Sequence, residues 1–472
     1  MKLSVFEAAR VSPASTALVL EQQSLTYAEL AEQVAARAAA LHAAGSLNPG
    51  EPVALVARPT LESLCGLHAL IAYAVPVLLL HAALPEAERR RLMTRARVRT
   101  LLLPDDAPLA RTDTPAPAPP VAIDAEMPLA LIPTSGTTGT PKIVVLSRRA
   151  LAASARASAE NLALTETDRW LLCLPLAHVG GLSIVTRSLL ARSAVVAFAT
   201  TEKGLLRSAP ELAVRLHDAA VSVVSLVPAV LDALLELQPP WTPAACLRVV
   251  LLGGAATPLP LLRRAQAQGV PVLTTFGLTE TCSQVTTTPL GEQPRVRGVH
   301  VSAGRTLPGV ELSLDGDRRV RVRGSVLCSG YLDEALTFQP DQWLVTDDRG
   351  ELDSEGNLFL LGRITECIIT GGENVDPQRV EAVLSNVPGV RAACVVGIDD
   401  ARFGQLVACA LVAEPTLTLP ELMAHAATEL ARHELPRTFL QLDSLPRLSN
   451  GKTDRSRVKA LFTASSADAE TA

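Results

Sequence analysis

The residues best suited to chemistry lie in the segment Pro133-Thr134-Ser135-Gly136-Thr137-Thr138-Gly139-Thr140-Pro141-Lys142, directly after the apolar run 127–132. Hydroxyl side chains, two glycines and a lysine crowd into ten residues. Glycines let backbone N–H groups turn inward and hydroxyls add donors, so such a loop can wrap a polyphosphate. Lys142 would bring a compact positive charge to its outer oxygens. Lysine is scarce here: of 43 basic residues only Lys2, Lys142, Lys203, Lys452 and Lys459 are lysine. Arginine serves elsewhere, so Lys142 and Lys452 mark positions that need a small, flexible point donor, which a planar guanidinium does not imitate. The loop is not a Walker A sequence, because Lys142 follows a proline and precedes Ile143.

The elements that must hold these groups alternate between helical and strand patterns, which predicts an α/β architecture. A helix is expected over 27–44, with Thr26 and Glu29 as its capping box, Leu30, Val34 and Leu41 as its stripe, and Gly45 as its stop. Short apolar runs at 53–56, 75–80, 100–103, 194–198, 221–226, 247–252 and 270–274 read as buried strands. The stretch 104–128 is rich in Pro, Ala and Asp and reads as an extended surface connection. Beyond about residue 290 short strands and turns take over. After Gly362-Arg363 a further unit carries its own helix (377–384) and strand (392–398). The tail 463–472 is small and polar and predicts disorder.

At 472 residues the chain exceeds one ordinary domain. Aromatics make up 3% against 48% hydrophobic residues, so the cores are aliphatic. A net charge of −5 offers no basic field and argues against nucleic acid as a partner. The eight cysteines form no C-x-x-C pair, which removes metal-ligand spacing and predicts reduced, mostly buried thiols. The start carries Glu7 and Arg10 where a signal peptide needs an apolar block. The least polar stretch, 63–84, is broken by Pro76 and His81 and reads as a buried helix and strand, not a membrane span. A soluble cytoplasmic protein is expected.

Four further segments stand in order behind the loop: Phe276-Gly277-Leu278-Thr279-Glu280; Trp343 to Asp348; Gly362-Arg363 leading to Gly371-Gly372-Glu373-Asn374; and Leu445 to Arg455 around Gly451-Lys452. In this order the set resembles the adenylate-forming superfamily of acyl- and aryl-CoA ligases, luciferases and peptide-synthetase adenylation domains, over about residues 10–460. The resemblance implies a large N-terminal domain (1–363) of two α/β subdomains and a small β-barrel-like one. A small mobile α+β C-terminal domain (364–462) would follow. It also implies ATP and Mg²⁺, with coenzyme A as co-substrate. Thr134, Ser135, Gly136, Thr137, Thr138, Gly139 and Lys142 would line the β- and γ-phosphates, and Thr279 would meet the α-phosphate. Glu280 would hold the metal. Gly253, Gly254 and Ala255 would let adenine lie against the backbone. Phe276 would stack on it where relatives carry tyrosine, with Gly277 beside it. Asp348 and Arg363 would bind the ribose. Lys452 would bridge carboxylate and α-phosphate. Gly371 and Gly372 would approach the pantetheine arm once the C-terminal domain swings about Thr365, a position commonly Asp or Lys in relatives.

The runs 174–187 and 274–285 and the short length resemble one subfamily, the o-succinylbenzoate–CoA ligases of menaquinone biosynthesis. Their substrate has a second carboxylate, for which Arg187 matches the cation, and a guanidinium suits it by binding bidentately. Gly180, Gly181, Ser283 and Gln284 would border this substrate, with Gly180 standing where relatives often carry serine. His178 would sit between adenylate and thiol, or be a hydrogen-bonded core histidine. Another aryl- or acyl-CoA ligase is the main alternative. A peptide-synthetase domain fits less well, because no carrier module follows Lys452. A catalytically silent homologue fits poorly with intact Lys142, Glu280, Asp348, Arg363 and Lys452. The homo-oligomeric state stays open.

Overall fold

The computed structural model describes residues 3–103, 118–120, 122–134, 142–199, 204–334, 338–400, 402–448 and 451–470. Ser135, Gly136, Thr137, Thr138 and Gly139 therefore lie outside the described residues. Among the described residues two large sheets dominate the N-terminal part, one of nine strands and one of six. In the first, Thr16–Val19, Ala194–Ala197, Arg169–Leu172, Val223–Leu226, Val249–Leu252 and Val272–Leu278 run parallel, and Ser283–Thr287 turns back antiparallel. In the second, Val77–His81 lies parallel to Val53–Ala57 and to Pro128–Thr134. Parallel strands covered by helices on both faces must be apolar throughout, which is why these runs read as continuous Val and Leu.

Most expected strands begin about two residues later than their apolar runs. The extra residues close the preceding helices. Val75, Val221 and Val270 donate their N–H to carbonyls five residues back, at Leu70, Leu216 and Ala265. The residues before them, Ala74, Ala220 and Gly269, have positive φ. This left-handed helix ending buries an apolar residue beyond the last turn. The expected helix forms as Tyr27–Ala43 with its capping box intact. The apolar stretch 63–84 folds as the buried helix Leu61–Ala72 and the strand Val77–His81. Among the described residues no helix is long and apolar enough to cross a membrane.

After residue 290 the strands Val310–Leu314, Arg319–Gly324, Leu344–Leu352 and Leu358–Arg363 form a four-stranded antiparallel sheet. The C-terminal unit has its own core of Val380, Leu384, Val395, Val407, Leu411 and Leu422. There the long hairpin Val390–Asp400 and Gly404–Ala413 packs against the helix Pro377–Ser385. The last helix, Arg455–Glu470, carries helical backbone into the stretch whose composition predicts disorder.

Candidate active site

The strands deliver their functional residues at their carboxyl ends, where open α/β sheets place ligands. Gly253 follows Val249–Leu252, and the segment 276–280 ends Val272–Leu278. A Cβ on Gly277 would overlap the Ser283 carbonyl oxygen, so only glycine lets the returning chain approach. That return needs positive φ at Cys282 (52°) and Ser283 (97°). Ser154 Oγ holds it by donating to the Cys282 carbonyl at 2.7 Å. Gly181 plays a like part at the start of the helix Val179–Ala191, where a Cβ would strike the Pro175 carbonyl. Gly180 packs against Leu174.

Lys142 opens the strand Lys142–Ser147, opposite Thr134 across the hairpin. Thr134 Oγ1 donates to the Lys142 carbonyl at 3.3 Å. The Lys142 ammonium pairs with Glu334 at 3.0 Å and lies 4.5 Å from the centre of the Tyr331 ring. Tyr331 in turn donates its hydroxyl to Glu280 Oε1 at 3.0 Å. Lys142 and Glu280 thus share one aromatic neighbour. The sequence gives no hint of Tyr331 beyond its rarity, since the chain has three tyrosines. Burial and the nearby Glu280 charge raise its pKa, so it stays a donor. Glu280 supplies one hard carboxylate, which suits a magnesium ion held otherwise by phosphates and water. Among the described residues no group of three metal-ligating side chains occurs. Thr279 starts the short turn that carries Glu280.

Lys452 arrives from the C-terminal unit on a tight turn. Leu448 N–H donates to the Lys452 carbonyl and Gly451 N–H to the Leu448 carbonyl, at 2.8 and 2.9 Å. Behind it Arg455 forks onto Glu381 with two 2.7 Å bonds and meets Glu366, beside the expected hinge at Thr365, at 3.3 Å. The lysine reaches the N-terminal site. A Cβ built on Gly254, whose φ is +80°, would touch the Lys452 Cε at 3.4 Å. Gly254 thus leaves room for lysine, while Ala255 is exposed beside it. Lys452 as a whole residue is exposed. Partial loss of water around its ammonium, then the Arg363 charge, lowers its pKa, against the pull of Asp348 and Glu366.

Asp348 and Arg363 face each other across antiparallel strands, and Arg363 Nε donates to Asp348 Oδ1 at 3.1 Å. Burial raises the Asp348 pKa, with Arg363 opposing. His178 stands at the N-cap position of the helix Val179–Ala191, and its Nε2 is buried without a hydrogen-bond partner among the described residues. Its ring lies 5.7 Å from that of His81, which the sequence reading missed. Burial, then His81 and Lys452, pull the His178 pKa down to about 4. Burial therefore favours the neutral imidazole. Arg187 is 1% exposed. Its guanidinium lies 5.4 Å from the Trp170 ring centre, and Nε and Nη2 have no partner among the described residues. Burial lowers its pKa to about 9.

Two expected contacts fall elsewhere. Phe276 is buried in the core with Val285, Ala303, Leu307 and Val310. Lacking a tyrosine's polar tip, its ring has no reason to stay at the wet strand end, and it leaves little face for adenine. Gln284 is also inside: its amide accepts from Ser158 at 2.6 Å and donates to Thr287 at 2.7 Å and Thr275 at 3.3 Å. Buried amides satisfy themselves, so Gln284 braces the strand and has no donor left for substrate. Ser283 stays partly exposed. Gly371 and Gly372 are exposed, on the C-terminal unit.

The family of AMP-binding enzymes matches residues 5–332, and the C-terminal domain of the same enzymes matches residues 379–452. The chain belongs to the AMP-binding enzymes. Within that family it is 32% identical to a 2-succinylbenzoate–CoA ligase of Listeria monocytogenes, over 95% of this chain and 97% of that one. Its fold matches the o-succinylbenzoate CoA synthetase (MenE) of Bacillus subtilis bound to the acyl-adenylate OSB-AMP. The TM-score is 0.84 and the identity 30%, over 97% of this chain and 98% of that one. The same Bacillus enzyme with ATP and magnesium gives a TM-score of 0.81 and 30% identity, over 96% and 98%. These AMP-binding relatives share the mixed α/β fold with a large N-terminal and a small C-terminal domain.

Proposed function

We propose that this AMP-binding enzyme is an ATP- and Mg²⁺-dependent 2-succinylbenzoate–CoA ligase of menaquinone biosynthesis, working in the cytoplasm. An acid oxygen attacks the ATP α-phosphorus, giving acyl-adenylate and pyrophosphate. The CoA sulfur then attacks the acyl carbon, AMP leaves, and the thiol proton is released. The first step drives one anion onto another, so fixed cations must meet the charge that builds up. Lys142 and the 134–139 loop take the outer phosphates, Lys452 the α-phosphate and attacking carboxylate, Asp348 and Arg363 the ribose. Magnesium on Glu280 would neutralise charge on the departing pyrophosphate. In this assignment residues 1–363 form the adenylation domain, and 364–462 turn about Thr365 for the second step. One chain supplies every assigned residue, so chemistry needs no second copy.

The buried Arg187 guanidinium, whose Nε and Nη2 have no hydrogen-bond partner among the described residues, carries the choice of acid. A cation stripped of water without a carboxylate costs several kcal/mol. A substrate's second carboxylate recovers that cost, whereas a simple monoacid does not. Incubation with ATP, CoA and mixed benzoic, fatty and 2-succinylbenzoic acids, followed by product mass, tests the proposal. The 2-succinylbenzoyl thioester should dominate, and a dominant benzoyl or fatty-acyl thioester would overturn it.

A further inference from the structure

In the proposed reaction Lys452 acts only if its turn is seated at the mouth of the N-terminal cleft, and groups of both units meet where it lands. Across the turn, Arg447 and Thr453 form an antiparallel bridge, and Arg447 Nη1 donates to the Gly451 carbonyl at 2.9 Å. Gly451 has a φ of +83°, a conformation that favours glycine, and a Cβ there would lie 3.0 Å from Val227 Cγ2. The other methyl of Val227, Cγ1, lies 3.4 Å from a Cβ built on Gly254. Val227 is thus lodged between the lysine turn and the glycines at the strand end of the N-terminal site. It stands at the N-cap position of the helix Pro228–Leu235, which also carries Asp232. The Asp232 carboxylate accepts from Arg264 Nη1 at 2.8 Å. Its charge also reaches Arg447: loss of water around that guanidinium lowers its pKa, and Asp232 opposes the fall. Arg447 and Asp232 make no direct ion pair among the described residues, so their attraction acts across a gap.

We propose that Arg447 and Asp232 are positioning residues for adenylation, drawing the Lys452 turn onto the helix Pro228–Leu235. This rests on the CoA-ligase reading above. Arg447 acts twice: it braces the Gly451 carbonyl, and its charge is attracted to Asp232 on the surface where the turn lands. Asp232 acts on the lysine only through Arg447, while Arg264 keeps the carboxylate in place and takes part of its charge. Opposite charges at a partly exposed seam contribute modestly. That strength suits a contact that must form for one half-reaction and open for the other, because a seam that held the turn too firmly would block the second step. Val227 supplies the fit, and the charge pair supplies the bias.

The test follows adenylation by pyrophosphate exchange, and thioester formation from supplied acyl-adenylate, in Arg447→Gln, Asp232→Asn and the double variant. Asp232→Asn should slow adenylation about threefold, and Arg447→Gln about tenfold because it loses the Gly451 bond as well. The double variant should be no slower than Arg447→Gln alone, since both changes remove one attraction. Thioester formation should stay near the wild-type rate in all three, which a merely structural loss would not allow. Multiplied losses in the double variant, equal losses in the two half-reactions, or unchanged adenylation would each overturn the proposal while leaving the ligase reading intact. Wild-type protein that makes no adenylate with any acid would overturn the ligase reading and these roles with it.

Discussion

At the scale of single residues, charge and its burial decide what the site can do. Arg187 is buried and pairs with no carboxylate among the described residues, so in the proposed function it selects an acid that brings one. Arg187→Ala should raise the KM for 2-succinylbenzoate about 10²-fold while leaving benzoate adenylation nearly unchanged. Equal losses for both acids, measured by pyrophosphate exchange, would assign the residue to folding alone. Tyr331 ties Lys142 to Glu280, and Tyr331→Phe should weaken ATP binding by a few-fold without altering the acid preference. The lysines were legible because the chain is otherwise so rich in arginine. Tyr331 and His81 were not, because each meets its partner only when separate segments fold together. Phe276 and Gln284 were misplaced for a related reason. Spacing puts a residue at a strand end but does not say which face its side chain chooses.

At the scale of elements, the return from Glu280 to Ser283 is the most constrained piece of backbone. Two successive non-glycine residues with positive φ survive there because Ser154 and the adjoining strands over-determine them. Gly277→Ala forces a Cβ into the Ser283 carbonyl and should cost about 2 kcal/mol or more in thermal or denaturant unfolding. Ser154→Ala should cost only about 1 kcal/mol. It should nonetheless lower adenylation several-fold, since Glu280 rides on that turn. A fall in stability with undiminished activity would contradict the second expectation. Strands and helices were largely readable from their apolar runs. Their starts were not, because Val75, Val221 and Val270 look like strand residues yet serve the helix before them.

At the scale of the whole molecule, buried imidazoles set an acid limit. Burial holds His68 near pKa 4, and His178 lies near the same value. Both bind protons more readily unfolded, where the value is about 6.5. Their stabilising effect is therefore complete above about pH 6.5 and is lost as pH falls through about 4. Asp376, which burial raises to about 6, acts in the opposite sense and offsets part of this loss. Melting temperature should decline steadily from pH 6.5 to 4, and His68→Leu should flatten the decline. A wild-type curve level over that range would contradict the burial of these groups. The two-domain plan was legible from the order of motifs. The meeting of Lys452 with Gly254 was not, because it depends on how one domain sits against the other.

That meeting is the central claim: a lysine from the C-terminal domain serves adenylation alone. The direct measurement compares both half-reactions in Lys452→Ala, with adenylation followed by pyrophosphate exchange and thioester formation from supplied acyl-adenylate. Adenylation should fall about 10²-fold or more while thioester formation stays near the wild-type rate. Equal losses in the two steps would contradict the account.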